Sequence, residues 1–277
     1  MKRFLLLLSL MVITAVHAQK KETLKGSKIV TIEQKSVESF TALEVRDELE
    51  VSLIKGDKCG VEIEADDNLH EALGISYNGS TIILGMAKNI SGAKKFSIRV
   101  TYTDDFKSLM AKNKSVVNAL EEIKLEDIRF DAYDNAKLNL NLSPKSYTIS
   151  ADDHAEVALN GKSEAATLVV SKNASIKALI AATQLKCDLY QKAVANIEGD
   201  VIDMTLRMDN NSKFIGKKLT AKNINLVAEG YVNCDIWADT TLAIEASGEA
   251  EVSIYGDPKL DIRKFADTAK LLKKKLK

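Results

Sequence analysis

The feature that most constrains this chain is a repeat of about nineteen residues running between positions 126 and 256. Short polar turns recur there, each flanked by runs in which apolar and polar residues alternate. The residue just before the second run of each unit is Asn135, His154, Asn173, Lys192, Asn211, Tyr231 and Glu249, at spacings of 19, 19, 19, 19, 20 and 18. A fixed period of this kind means stacked units, because one such unit cannot bury its apolar face alone.

Aligned on those references, the units form columns. Five positions upstream stand Phe130, Ile149, Leu168, Cys187, Leu206, Leu226 and Ile244. Three downstream stand Leu138, Val157, Ile176, Ala195, Phe214, Cys234 and Val252. Positions seven and three upstream, and one and five downstream, are apolar or small in the same way, whereas the columns between hold residues such as Lys137, Glu156, Lys213 and Glu251. Period-two alternation with one column apolar in every unit requires strands stacked in register. An antiparallel sandwich would reverse direction at each turn and lose that common register. The expected fold is therefore all-β: a parallel β-helix (β-solenoid) with two short strands per coil. Seven coils would make a rod roughly 30 Å long. In the turns, Asn135, Asn173 and Asn211 are expected to take the left-handed conformation, with Gly230 and Gly248 serving one position earlier.

The flanks read differently. Residues 19–105 predict an N-terminal β lobe, with a hairpin at Asn78-Gly79 and a helical turn over Asp67–Leu73 capped by Asp67. Residues 106–258 form the repeat region. In 259–277, Phe265, Ala269, Leu272 and Leu276 fall on one helical face among Lys270, Lys273, Lys274, Lys275 and Lys277. This predicts a short basic amphipathic helix capping the last coil, since an open solenoid end exposes strand edge and core. A membrane-surface or polyanion-binding helix is the alternative.

Residues 1–18 combine Lys2-Arg3, an apolar run from Phe4 to Val16, and Val16-His17-Ala18. This is the pattern of a signal peptide cleaved between Ala18 and Gln19, and the run is too short for a membrane anchor. Removing it leaves 37 basic against 39 acidic side chains, a net charge of −2. So balanced a charge gives no field to collect nucleic acid. Cys59, Cys187 and Cys234 are odd in number and widely spaced, and are expected to be buried free thiols.

The chain also resembles a known family, the auto-transporter adhesin head domain called the GIN domain. The resemblance lies in Phe40–Val45, Leu49–Asp57, Val61–Leu69, Ser247–Ala250 and Ile254–Pro258. It implies a right-handed β-helix-like fold and an exported or envelope protein of a Gram-negative bacterium, either periplasmic, outer-membrane-associated or secreted. The family's usual Ser-Gly-Ser-Gly turns are mostly replaced here by Asp-Asn-Ala (134–136), Asp-His-Ala (153–155) and Lys-Asn-Ala (172–174). No catalytic residue carries over.

No nucleophile elbow, phosphate loop, dinucleotide fingerprint or zinc spacing is present, so neither catalytic residues nor a cofactor are expected. His154 is read as a turn residue in an Asn-like role and His70 as solvent-facing. Outward acids gather near the first turns: Asp131, Asp134, Asp152 and Asp153, with Asp209 and Glu229 further along. No Arg or Lys reads as stacked beside them, so they are expected to be solvated turn acids. Asp134, Asp152 and Asp153 are weak Ca²⁺ candidates. Asp131, Asp152, Asp209, Glu229 and Trp237 are candidates for a binding face. The sequence thus favours a non-enzymatic exported β-helix that presents a rigid face to a surface glycan or protein. A polysaccharide hydrolase or lyase and a purely structural envelope protein are the alternatives.

Overall fold

The computed structural model describes residues 21–275; the expected leader with its Ala18–Gln19 junction, and Leu276 of the tail, lie outside the described residues. The first strands are β1 (Thr23–Lys25), β2 (Val30–Ser36), β3 (Ala42–Val45), β4 (Glu50–Lys55), β5 (Gly60–Asp66), β6 (Leu73–Asn78), β7 (Thr81–Met86), β8 (Asn89–Ser91) and β9 (Phe96–Tyr102). Then come β10 (Ser108–Ala111), β11 (Val116–Ile123), β12 (Asp127–Ala132), β13 (Lys137–Leu142), β14 (Ser146–Ala151), β15 (Glu156–Val170), β16 (Ser175–Leu189) and β17 (Val194–Met208). The series ends with β18 (Lys213–Gly230), β19 (Asn233–Gly248), β20 (Glu251–Tyr255), β21 (Lys259–Phe265) and β22 (Lys270–Lys273).

The chain is a parallel β-solenoid of about nine turns with about 19 residues per turn. The columns read from the sequence are its hydrogen-bond register. Phe130 pairs with Ile149, Ile149 with Leu168, Leu168 with Cys187, Cys187 with Leu206, Leu206 with Leu226, and Leu226 with Ile244. Every residue of the six apolar columns is buried. From β15 onward each long strand carries the second run of one coil round a bend into the first run of the next, so a coil has one tight turn and one continuous corner.

In the tight turn the left-handed residue stands one place before the Asn expected there. Asp134, Asp153, Lys172, Gln191 and Asn210 have φ of 58°, 60°, 56°, 62° and 58°, and Gly230 and Gly248 have 81° and 74°. The following residue keeps ordinary φ and ties the coils together. The N–H groups of Asn135, His154, Asn173 and Asn211 donate to the carbonyls of Asn113, Asp134, Asp153 and Gln191 below, at 2.7, 2.7, 2.8 and 2.8 Å. Left-handed backbone costs a non-glycine residue about 1–2 kcal/mol. Side chains offset part of it in the early coils, where the Asp134 carboxylate accepts the Asn113 N–H at 2.9 Å. At Lys172 the side chain reaches two carboxylates of the coil below, and at Gln191 the stacking register outweighs residue preference.

The columns begin far upstream of the repeat. β3 and β4 pair in parallel with β10 and β11, Leu43 with Leu109 and Val51 with Val117. Asp47 (φ 64°) and Asn113 (φ 59°) therefore occupy neighbouring turns. The intervening residues close the N-terminal end. β7 lies parallel to β3 and β9 parallel to β4, β5 runs antiparallel to β9, and β2 runs antiparallel to β5. The hairpin at Asn78-Gly79 joins β6 to β7 as expected, with Gly79 at φ 57°.

Two local expectations fail. Asp67 caps nothing: the 3-10 turn His70–Ala72 has no side-chain cap, and the Asp67 carboxylate accepts the Ser27 hydroxyl instead, at 2.5 Å. His70 is buried rather than solvent-facing, its Nε2 lying 2.7 Å from the Thr31 hydroxyl because β2 covers that turn. The carboxylate that organises this end is Asp66. Burial pushes its carboxyl up, but the backbone N–H groups of Lys28, Lys94 and Lys95 hold it below its ordinary value.

The C-terminal capping helix is corrected outright, for Lys259–Phe265 and Lys270–Lys273 are strands joined by a turn. β21 pairs in parallel with β19 and β22 with β20, Leu242 opposite Leu260 and Val252 opposite Leu271. Asp267 (φ 60°) supplies one more turn, nineteen residues after Gly248. Phe265 and Ala269 fit both the helical face and the β columns, whereas Leu260, Ile262 and Leu271 fit only the columns and Leu272 falls opposite Ser253. The open edge of β19 and β20 decides between them by offering a complete set of backbone partners. The tail is thus a last coil and not a plug. Leu260, Ile262 and Phe265 remain 45%, 52% and 46% exposed at the open end.

Candidate functional site

The expected binding-face residues do not converge. Asp131 lies in β12, only 5% exposed, and is gripped by Arg129, whose Nε and Nη2 donate at 2.8 and 2.6 Å. Asp152, Asp209 and Glu229 share the turn column, but Asp152 and Asp209 are three coils apart, about 14 Å. Asp209 accepts the Asn210 side-chain amide at 2.5 Å, and Glu229 lies 3.9 Å from Lys264. Trp237 stands on the other sheet, stacked on Tyr255 at 6.5 Å and 11°, with its Nε1 donating to Asp239 at 2.8 Å.

The turn acids are also not merely solvated. Lys172, the next left-handed residue, sets its ammonium 3.0 Å from Asp152 and 2.7 Å from Asp153. Burial pushes the Asp152 carboxyl up, but the Ser171 hydroxyl, the Asp153 N–H and Lys172 together hold it below its usual value. The Lys172 ammonium occupies the position a cation would take between these two carboxylates. Asp134 turns its carboxylate to the Asn113 N–H instead. Among the described residues no group of three or more His, Cys, Asp or Glu side chains is arranged to hold a metal ion. Cys187 and Cys234 are buried free thiols whose pKa values burial raises, whereas Cys59 is only half-buried.

A concavity lies elsewhere, on the outer face formed by the second strand of each coil. It is a groove of about 720 Å³ over β13, β15, β16 and β17. Leu140, Leu159, Ala158 and Ala178 make its floor, Leu179 stands 53% exposed at its edge, and Asn139, Asn160, Lys177 and Asn196 ring it. The register places Asn118, Asn139, Ala158, Lys177 and Asn196 in one outward column and Asn141, Asn160, Leu179 and Glu198 in the adjacent one.

Amide chains run along these columns. Asn139 donates to Asn118 at 2.8 Å and Asn160 to Asn141 at 3.2 Å. Both chains stop where Ala158 and Leu179 replace an amide, and that interruption is the groove. The Lys177 ammonium and the Asn196 amide face it with no hydrogen bond or ion pair to any described residue. The Asn141, Leu179 and Glu198 column continues towards the C-terminal end, where Trp237 and Tyr255 stand, so Trp237 is the one expected binding residue on the groove's own face. The alignment that yields the apolar columns yields these outward ones equally. What sequence alone could not supply is which outward face is concave.

The geometry defines a β-solenoid with an amphipathic groove on its flank. The chain belongs to the family described as "Putative auto-transporter adhesin, head GIN domain", whose model matches residues 39–180 and 162–258. Similar solved structures include a protein described as a "putative adhesin" from Parabacteroides merdae. It has 15% identity and a TM-score of 0.56, over 92% of this chain and 98% of that one. A "putative adhesin" from Parabacteroides distasonis has 14% identity and a TM-score of 0.58, over 91% and 98%. A "Putative lipid binding protein" from the same species has 13% identity and a TM-score of 0.58, over 91% and 99%. At these identities the likeness shows the fold. No functionally curated protein matches the chain.

Proposed function

We propose that this protein is an exported, non-enzymatic adhesin-like binding protein, and that its binding face is the groove over β13, β15, β16 and β17. The observation that carries this reading is the pairing of an apolar floor with side chains that have no partner among the described residues. Lys177 and Asn196 face the floor unpartnered, beside the Asn139 and Asn160 amides. A pyranose ring has the matching chemistry, with a C–H face for Ala158 and Leu179 and hydroxyls for the amides and the ammonium. Family membership supports adhesion, and no helix among the described residues is long and apolar enough to cross a membrane. The acids that a glycosidase would need are distributed against this reading's rival: Asp131 is paired with Arg129, and Asp152 with Lys172.

A glycan array probed with the protein is expected to give saturable binding without product release. Lys177→Ala combined with Asn196→Ala should weaken that binding by about tenfold or more, the loss of one charged and one neutral hydrogen bond. Release of shortened oligosaccharide, or binding indifferent to both substitutions, would overturn the assignment.

Export rests on the leader pattern of residues 1–18. Amino-terminal sequencing of the protein recovered from the envelope or medium should begin at Gln19. Recovery of a chain still starting at Met1 would sink the export reading.

A further inference from the structure

The two ends of the solenoid differ in a way the groove does not use. Among the described residues the outermost strands at the N-terminal end are β2 and β6, and the charges of β2 cancel locally, Lys35 lying 2.9 Å from Glu33. At the C-terminal end the outermost strands are β21 and β22. Residues 259–277 hold eight Lys or Arg against two Asp, in a chain whose formal net charge is zero. Arg263, Lys264 and Lys273 pair with Asp261, Glu229 and Asp257, whereas Lys259 and Lys270 make no ion pair to any described residue.

The backbone of this end is equally one-sided. The N–H groups of Lys270 and Lys274 donate inward to the carbonyls of Ala250 and Ile254, at 2.7 and 2.9 Å. By strand alternation Leu271 and Lys273 direct theirs away from the solenoid. Beside this unpaired edge Leu260, Ile262 and Phe265 are about half exposed. Lysine on an edge strand blunts association between copies, since two such edges brought together would repel. The same lysines attract an acidic strand.

We propose that the β21–β22 edge docks an extended acidic segment of a partner protein, which adds as a further parallel or antiparallel strand. The unpaired backbone provides the ladder, Leu260, Ile262 and Phe265 take the partner's alternate apolar side chains, and the lysines select carboxylates between them. An anionic membrane shares the charge preference but fits less well, because hydrocarbon leaves strand-edge N–H and C=O groups unsatisfied.

The test uses the full chain and an acetylated ten-residue peptide alternating valine and glutamate, followed by fluorescence anisotropy. Saturable binding that falls as salt rises is expected. Arg263→Glu with Lys264→Glu, both on the exposed strand, should weaken it about tenfold. The same peptide with each valine replaced by proline keeps all five carboxylates but cannot form the ladder, and should not bind. A valine–lysine peptide should not bind either. The proposal is overturned if the valine–glutamate peptide fails to bind, or if the proline peptide binds as well, which would leave charge alone. It is also overturned if phosphatidylserine vesicles sediment the protein while the peptide does not bind. Self-association in sedimentation velocity that the double charge reversal abolishes would assign the edge to a second copy instead. None of these readouts involves the groove, so failure here leaves the glycan reading standing, and the reverse holds.

Discussion

Val157→Asp is expected to cost several kcal/mol, enough to unfold a marginal domain, whereas Glu156→Lys one residue earlier should cost at most about 1 kcal/mol. Val157 is 3% exposed and stacks between Leu138 below and Ile176 above. A carboxylate there would find apolar neighbours in both adjoining coils and no donor. Glu156 points outward and meets Lys137 at 2.9 Å, with both side chains more than half exposed. Reversing its charge loses a weak surface pair and sets two cations in one column. Thermal melts of the two variants measure the difference. Equal damage would mean that the register has slipped by one residue.

Gly199→Ala should destabilise by about 3 kcal/mol or more, an unusual amount for one added methyl group. Gly199 has φ 119°, a backbone region L-residues rarely occupy. A Cβ built there would lie 2.0 Å from the Ile180 carbonyl oxygen, a backbone atom held in the sheet. Gly199 pairs with Ile180 beside the bulge where β17 meets β18, and lines a second, smaller cavity next to the groove. The comparison is Gly79→Ala, where φ is 57° and nothing lies within 4 Å of the new carbon. That change should cost only the left-handed penalty of about 1–2 kcal/mol. Denaturant melts of both variants separate strain from collision; similar midpoints would show that β17 and β18 relax around residue 199.

The inward half of the fold was legible because burial repeats with the coil. Phe130, Ile149 and Leu168 could be aligned from sequence, and the structure pairs them directly. The tight turns were legible to within one residue. Side-chain preference points to Asn135, but the stack sets the left-handed residue at Asp134, and it forces Lys172 and Gln191 into a conformation neither favours. The tail misled because Phe265 and Ala269 satisfy two periods, and only the exposed edge of β19 and β20 settles which applies. The acids near Asp131 and Asp152 were visible, but their partners were not. Arg129 reaches along its own strand and Lys172 across from the next coil, and pairing of that kind depends on side-chain reach. The groove was least legible. It exists where Ala158 and Leu179 interrupt runs of asparagine, and neither residue carries a chemical signature by itself.

The nineteen-residue turn also restricts how a gene for this protein can change in length. Duplicating one whole coil would lengthen the rod by about 4.8 Å, add one rung to every inward column and leave both ends untouched. An insertion of an odd number of residues within a strand would carry the inward set onto solvent from that point onward, because a shift of one residue exchanges the two faces, unless a bulge absorbs it as between β17 and β18. Tolerated variation in such genes is therefore expected to be quantised, and the reach of the molecule to alter in steps rather than continuously.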